Sequence, residues 1–357
     1  MVILRVMDPL FGHLRCATLA PGQADHPTQT DKTRIQEKTI GSPLPRLLVV
    51  FGLFLLLQPC SPVRAMEITG RFAVDAVMMT GQNTNRTTFE EGVSKLRWPI
   101  NVKAPAVSAG VAVGDLLDMD FGIIAEPWGS SGRPMRDLDY LDESQFPGRT
   151  AHDGIDIYSE TGLDSKALVM SVACRLFPLR TRYFSAGLTA GYRYEEYDYR
   201  GYGTSQTGYG SWQDQSSTIS GPSTFYTVEY DIYSVGVALQ THIEDTMVLT
   251  FEISSFPLVY GSDEDEHLRR NRVSFTETTG SGYQTSFSGT FHVTQRWTIG
   301  SACRYARIAT DGDQDQYWYG DDPATPGYDD TGYRLRGIDA DLNQENFQLS
   351  IGTSCRF

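Results

Sequence analysis

The last eleven residues constrain the fold most. Phe347, Leu349, Ile351, Thr353, Cys355 and Phe357 alternate with Gln348, Ser350, Gly352, Ser354 and Arg356. Successive side chains of a strand point to opposite faces, so a period of two predicts an extended segment with one apolar face and one polar or small face. A water-soluble sandwich and a membrane-spanning barrel both use such strands.

An apolar run near the N-terminus bears on that choice. Arg46 is followed by Leu47 to Leu57, eleven residues without a polar side chain, and then by a polar stretch that ends Val63-Arg64-Ala65. A basic flank, a short apolar core and small or apolar residues before a cleavage point are the layout of a secretory signal peptide, and the run is too short to span a bilayer comfortably. Cys60 raises a lipoprotein signal as an alternative, although Pro59 directly before it fits poorly. The expected organisation is therefore a leader or mis-assigned start over 1–45, a signal peptide over 46–65 and a mature domain over 66–357. An exported chain that ends on an alternating strand with a terminal aromatic residue resembles a bacterial outer-membrane barrel. No second apolar run exists, which excludes a polytopic helical membrane protein.

The rest of the mature sequence supports an all-β, ten-stranded antiparallel transmembrane barrel. Strands are expected near 67–79, 94–104, 106–125, 164–177, 183–199, 225–241, 246–260, 271–292, 296–310 and 343–357. Short links at Pro105, 178–182, 242–245 and 293–295 alternate with longer ones at 80–93, 126–163, 200–224, 261–270 and 311–342. Short periplasmic turns alternating with long extracellular loops, and an even strand number, are the habits of such barrels. Several strands exceed the roughly 9 to 11 residues that cross a bilayer, so the barrel should project beyond the lipid. Cys303 and Cys355 would pair if their strands were neighbours in the right register.

Charge sits in the long connections. The whole chain has 30 Lys and Arg against 44 Asp and Glu; residues 66–357 hold 23 and 40 of these, a net charge of −17. This acidity, with no basic stripe, argues against nucleic acid as a partner. Two acidic clusters have a spacing that suits chemistry. Asp137 and Asp139 are two apart, as are Asp263, Asp265 and His267. If these segments are extended, each set shares a face. An Asp beside an imidazole orients it as a general base, and two adjacent carboxylates resist double ionisation. The plainer reading is a solvated acidic loop, since 311–341 holds nine Asp and two Arg without any such pattern. His152, followed by Asp153, is a rival to His267, whereas His242 and His292 lie near the short turns and read as structural or solvated. No cluster has convincing metal-ligand spacing, and no Ser sits in a triad context.

These residues resemble the omptin family of outer-membrane aspartyl-type proteases. The resemblance covers essentially the whole mature chain and rests on Asp137-Leu138-Asp139, Ser262-Asp263-Glu264-Asp265-Glu266-His267 and the ten-strand layout. Phe89-Glu90-Glu91-Gly92, Leu96-Arg97-Trp98 and Gly187-Leu188-Thr189-Ala190-Gly191-Tyr192 add to it. It implies an endopeptidase in the outer membrane with its active site facing outward and no metal cofactor. An Asp265–His267 dyad would activate water opposite an Asp137–Asp139 pair. It also implies peptide or protein substrates with basic residues, bound by Asp263 and by Asp153 or, in its place, Asp156.

Three departures stand out. Asn85 occupies the place of a Glu in the first-loop pocket, which removes a charge-assisted partner for arginine. The family's Trp-Thr-Asp-x-Ser-x-His-Pro loop signature is mostly absent around 151–161. Lipopolysaccharide, the family's activator, keeps Tyr192 of its binding positions, but Tyr194 and Glu196 stand where the pattern has Glu and Arg. A non-proteolytic barrel serving as an adhesin or small pore is the alternative reading.

Overall fold

The structure is a computed structural model and describes residues 67–357 except 147, 149–153, 245, 324 and 326. The leader and signal peptide expected over 1–65, and the candidates His152 and Asp153, lie outside the described residues. Eleven strands form one antiparallel sheet: β1 (Ile68–Phe89), β2 (Gly92–Val113), β3 (Leu117–Ser130), β4 (Met135–Leu141), β5 (Ile157–Arg180), β6 (Phe184–Gly208), β7 (Ser217–Ile243), β8 (Met247–His267), β9 (Arg272–His292), β10 (Trp297–Trp318) and β11 (Arg334–Arg356). The sheet closes because β1 pairs with both β2 and β11. The alternating C-terminal segment is the closing strand. Its Ile351 lies opposite Ala76 on one side and Ser301 on the other.

The count of eleven reconciles with ten barrel positions. Both β3 and β4 pair with β2 on one side and β5 on the other, β3 through Leu117–Ser130 and β4 through Met135–Leu141. They are two pieces of one stave. The link expected at Pro105 is not a turn: β2 runs through it, with Pro105 opposite Ala76. The chain reverses instead at 114–116, where Gly114 adopts φ +54°, a backbone conformation that glycine reaches without Cβ strain. The long connections are also shorter than expected, because the strands climb into them. The first hairpin, for example, stays paired up to Phe89 and Gly92.

Outward-facing side chains form an apolar band near the short-turn end. Phe72, Val74 and Met78 on β1, Val235, Val237 and Leu239 on β7, and Phe251 and Ile253 on β8 are all exposed. Such a surface would aggregate in water, and it matches lipid on a barrel wall. The interior is filled. Trp98 stacks on Tyr226 at a centroid distance of 4.2 Å, Arg193 pairs with Glu195 at 2.7 Å, and Gln344 donates to Glu195 at 2.7 Å. The three cysteines among the described residues, Cys174, Cys303 and Cys355, are free. Cys303 lies opposite Leu349 and Cys355 opposite Trp297, so six residues of register separate them, about 20 Å along the strand and far beyond disulfide reach.

One irregularity matters for the site. Approaching Phe256, the even-numbered residues Ser254 and Phe256 are buried in β8 and the odd ones Phe251, Ile253 and Ser255 are exposed. From Val259 onward the odd-numbered residues Val259, Gly261, Asp263, Asp265 and His267 are buried. Between the two halves the register slips against both β7 and β9. This is a β-bulge containing Pro257, a residue that such irregularities tolerate because it has no N–H for the ladder.

Candidate active site

The bulge aims the end of β8 into the barrel mouth, beyond the apolar band, whose last exposed member on this strand is Tyr260. Asp265 and His267 thus share a face, and the Asp265 Oδ2 to His267 Nε2 distance is 3.1 Å. The Thr224 hydroxyl of β7 donates to Asp265 Oδ1 at 2.8 Å, so both carboxylate oxygens are engaged. With Nε2 donating to Asp265, the imidazole turns its other nitrogen, Nδ1, away. That atom is buried and has no protein partner.

The second set comes from β4. Met135, Asp137, Asp139 and Leu141 point inward, and Arg136 and Tyr140 point out. Asp137 and Asp139 are both almost fully buried. Ser94 on β2 lies directly across from Asp139 and donates to Asp137 Oδ1 at 3.2 Å. The strand is held at its end by Asp156, whose backbone N–H donates to the Asp139 carbonyl at 2.9 Å and whose carboxylate accepts from the Leu141 N–H at 2.9 Å. Asp156 therefore anchors the pair from behind.

Asp137, Asp265 and His267 line one cavity together with Trp98, Ser159, Thr224 and other residues. It leaves about 10 Å³ for water, near the minimum for one ordered molecule. Asp139 stands beside Asp137, set back from the cavity wall.

Burial and neighbours divide the charges between these groups. Burial alone would raise the Asp265 carboxyl, but His267, Thr224 and Arg272 together hold it below the ordinary carboxylate range. Burial, reinforced by Arg272 and opposed by Asp265, lowers the His267 imidazole to about 4. Near neutral pH the dyad is therefore an ionised carboxylate and a neutral imidazole, the state in which a base can accept a proton. Burial, followed by the charge of Asp137, holds Asp139 well above the usual carboxylate range. The pair thus keeps one proton near neutrality.

Asp263 lies one strand period below the dyad. Its Oδ2 accepts from Asn85 Nδ2 at 2.6 Å and from the Tyr226 hydroxyl at 3.0 Å, and Asn85 Oδ1 accepts from Thr87 at 3.1 Å. Burial, opposed by hydrogen bonds from Thr276, Asn85 and Tyr226, pushes the Asp263 carboxyl up to about 7. The acid is thus already held by neutral donors. On the outer wall, Glu196 accepts from the Tyr194 hydroxyl at 2.9 Å and lies 3.7 Å from Lys166 Nζ. His242 meets Ser185 at 3.2 Å near the short turns, a structural contact.

Sequence spacing alone missed Thr224, Ser94 and Arg272. They reach the site only through strand register, although each is a polar residue on a face that otherwise packs inward.

A sequence model of the Omptin family matches residues 82–357. No curated protein matches the chain by sequence. Among solved structures, the outer membrane protease OmpT from Escherichia coli aligns with a TM-score of 0.67 at 17% identity, covering 84% of this chain and 99% of that one. The outer membrane protein OprG from Pseudomonas aeruginosa aligns at 8% identity with a TM-score of 0.31, covering 80% of this chain and 96% of its own. The translocator domain of the autotransporter NalP from Neisseria meningitidis aligns at 10% identity with a TM-score of 0.30, covering 92% and 98%. Of these three, the first shares the fold in detail. With a family match across most of its length and a closed barrel of the same kind, the chain belongs to the Omptin family, the outer-membrane β-barrel proteases.

Proposed function

We propose that this protease cleaves peptide bonds near basic residues with a water molecule activated by His267 and Asp265, facing Asp137 and Asp139. What carries the reading is the free Nδ1 edge of a neutral His267, turned away from its bond to Asp265, on a side chain that lines the same cavity as Asp137. A water between them gives a proton to Nδ1 as its oxygen bonds to the scissile carbonyl carbon. Asp137 orients the water, and the proton held by the Asp137–Asp139 pair limits repulsion in that corner. When the C–N bond breaks, His267 returns the proton to the leaving amine. Asp265 stabilises the imidazolium in between, as a buried carboxylate does for a histidine base.

The acidic mouth favours basic substrates through its field. The pocket around Asp263 is weaker than a pair of carboxylates, because its one acid is bonded to Asn85 and Tyr226. Arginine preference at that subsite is accordingly relaxed. Asp153 is a second proposed contact for a basic side chain. Glu196 places an acid where a lipid phosphate would sit, so activity without lipopolysaccharide is expected.

The test uses purified protein folded in lipopolysaccharide-free detergent and a dibasic fluorogenic peptide. Wild type cleaves it, and His267→Ala loses about 10²- to 10⁴-fold in rate, the usual contribution of a general base, while its heat-modifiable migration on gels is unchanged. Equal cleavage by the folded variant would remove His267 from the mechanism.

A further inference from the structure

The cleft described above has an electrostatic deficit. Asp137 and Asp265 line the cavity, with Asp139 and Asp263 behind them on the same strands, and negative charge must appear on the carbonyl oxygen there as water attacks. Besides His267, the cavity's other polar groups are neutral: hydroxyls, among them Ser159 and Ser223, and the Trp98 indole N–H. An oxyanion in that setting needs a preorganised cation or a set of strong donors.

Arg272 is placed to supply it. It opens β9 directly across the ladder from His267, and opposed residues in an antiparallel pair have Cβ atoms about 4.5 to 5.5 Å apart. It points inward, in phase with buried Ser274, Thr276 and Thr278, and is 6% exposed. Gln316 Oε1 accepts from its Nη1 at 3.1 Å, and its guanidinium lies 5.5 Å from the centre of the Trp318 ring. These contacts fix the group and leave it without a direct ion pair: Nε is buried without a partner, and among the described residues no carboxylate comes within ion-pair distance. Arg270, two residues earlier, is different. Its Nε and Nη2 lie 2.7 and 2.6 Å from Asp322 Oδ2. Arg272 instead feels Asp265, Asp322 and Asp137 only from further away. Burying a cation without a directly paired counter-ion is costly, and here that cation stands across from the reacting histidine.

Building on the hydrolytic reading above, we propose that Arg272 is a further catalytic residue whose N–H edge donates to the scissile carbonyl oxygen and stabilises the oxyanion. As the water O–H bond breaks, its proton goes to His267 and its oxygen bonds to carbon. The carbonyl π electrons move onto the oxygen facing Arg272. Collapse of the tetrahedral species returns those electrons, breaks the C–N bond and sends the His267 proton to the amine.

The experiment compares wild type with Arg272→Gln, Arg272→Lys and Arg272→Ala, all checked for heat-modifiable migration. Arg272→Gln is expected to lower kcat about 10²- to 10³-fold, the range for one oxyanion donor, with KM changed less than about threefold, as for an interaction made only in the transition state. Arg272→Lys, which keeps the charge and loses the fork, falls between. Added methylguanidinium should restore part of the Arg272→Ala rate and none of the His267→Ala rate. A phosphinic peptide, which mimics the tetrahedral anion, should lose affinity for Arg272→Gln in proportion to kcat/KM. A rise in KM with kcat unchanged, or phosphinate affinity unaltered in the folded variant, overturns the assignment. If wild type itself cleaves nothing, the hydrolytic reading fails, a result separate from either of these.

Discussion

Replacing Asp265 by Asn tests the dyad at its electrostatic centre. The change keeps the shape and removes one charge from a buried site. In the transition state His267 is protonated, and its partner carboxylate oxygen lies 3.1 Å away. At an effective dielectric near 20 this attraction is about 5 kcal/mol, so its loss corresponds to roughly 10³- to 10⁴-fold in kcat. Geometry acts in the same direction. If Thr224 keeps donating to the Oδ1 position, the new amide turns its NH₂ toward His267 Nε2. That nitrogen must then accept, and the proton moves to Nδ1, the atom meant to receive one from water. The assay is steady-state cleavage of a dibasic fluorogenic peptide, with gel migration as the folding control. A folded Asp265→Asn protein within about tenfold of wild type would refute both the charge argument and the tautomer argument.

Two further outcomes are expected. His267 is neutral above its pKa of about 4, so the acidic limb of kcat/KM should lie well below that of an ordinary histidine. The basic limb should follow loss of the proton on the Asp137–Asp139 pair and vanish in Asp139→Asn, which fixes that neutral state; an acidic limb near 6.5, or a basic limb unchanged in Asp139→Asn, contradicts the charge assignments. Asn85→Glu would add a second carboxylate beside Asp263 and raise discrimination between an arginine substrate and its neutral citrulline isostere by about 10- to 100-fold, from a charge-assisted bond of about 1.5 to 3 kcal/mol. Unchanged discrimination would place the basic-residue pocket elsewhere.

Much of this architecture is legible in the chain because lipid enforces the alternation of the lower strands. Where the wall rises above the lipid, neither face must be apolar, and the pattern fades although the ladder continues. That is why 80–89 reads as a loop and folds as the top of β1. Pro105 reads as a breaker, and the Gly114-Asp115 pair, a turn signal in its own right, is overshadowed by it. The facing of Asp137 with Asp139, and of Asp265 with His267, follows from their spacing. That Asp137 meets His267 across a cavity depends on barrel closure, which no local spacing encodes. Thr224 and Arg272 are hidden for a different reason: each lies on a strand next to β8 and reaches His267 through the register of that pairing.

The bulge at Phe256–Val259 gives β8 two reading frames. Below it the even residues face the interior, and above it the odd residues do. A single-residue insertion or deletion between the bulge and Asp263 would shift the frame and exchange the dyad for Glu264 and Glu266. A two-residue change would preserve the frame and carry His267 about 7 Å along the wall, away from Asp137. This segment can therefore drift in composition far more freely than in length, and chain length there is a more telling mark of a working site than the identity of any one neighbour.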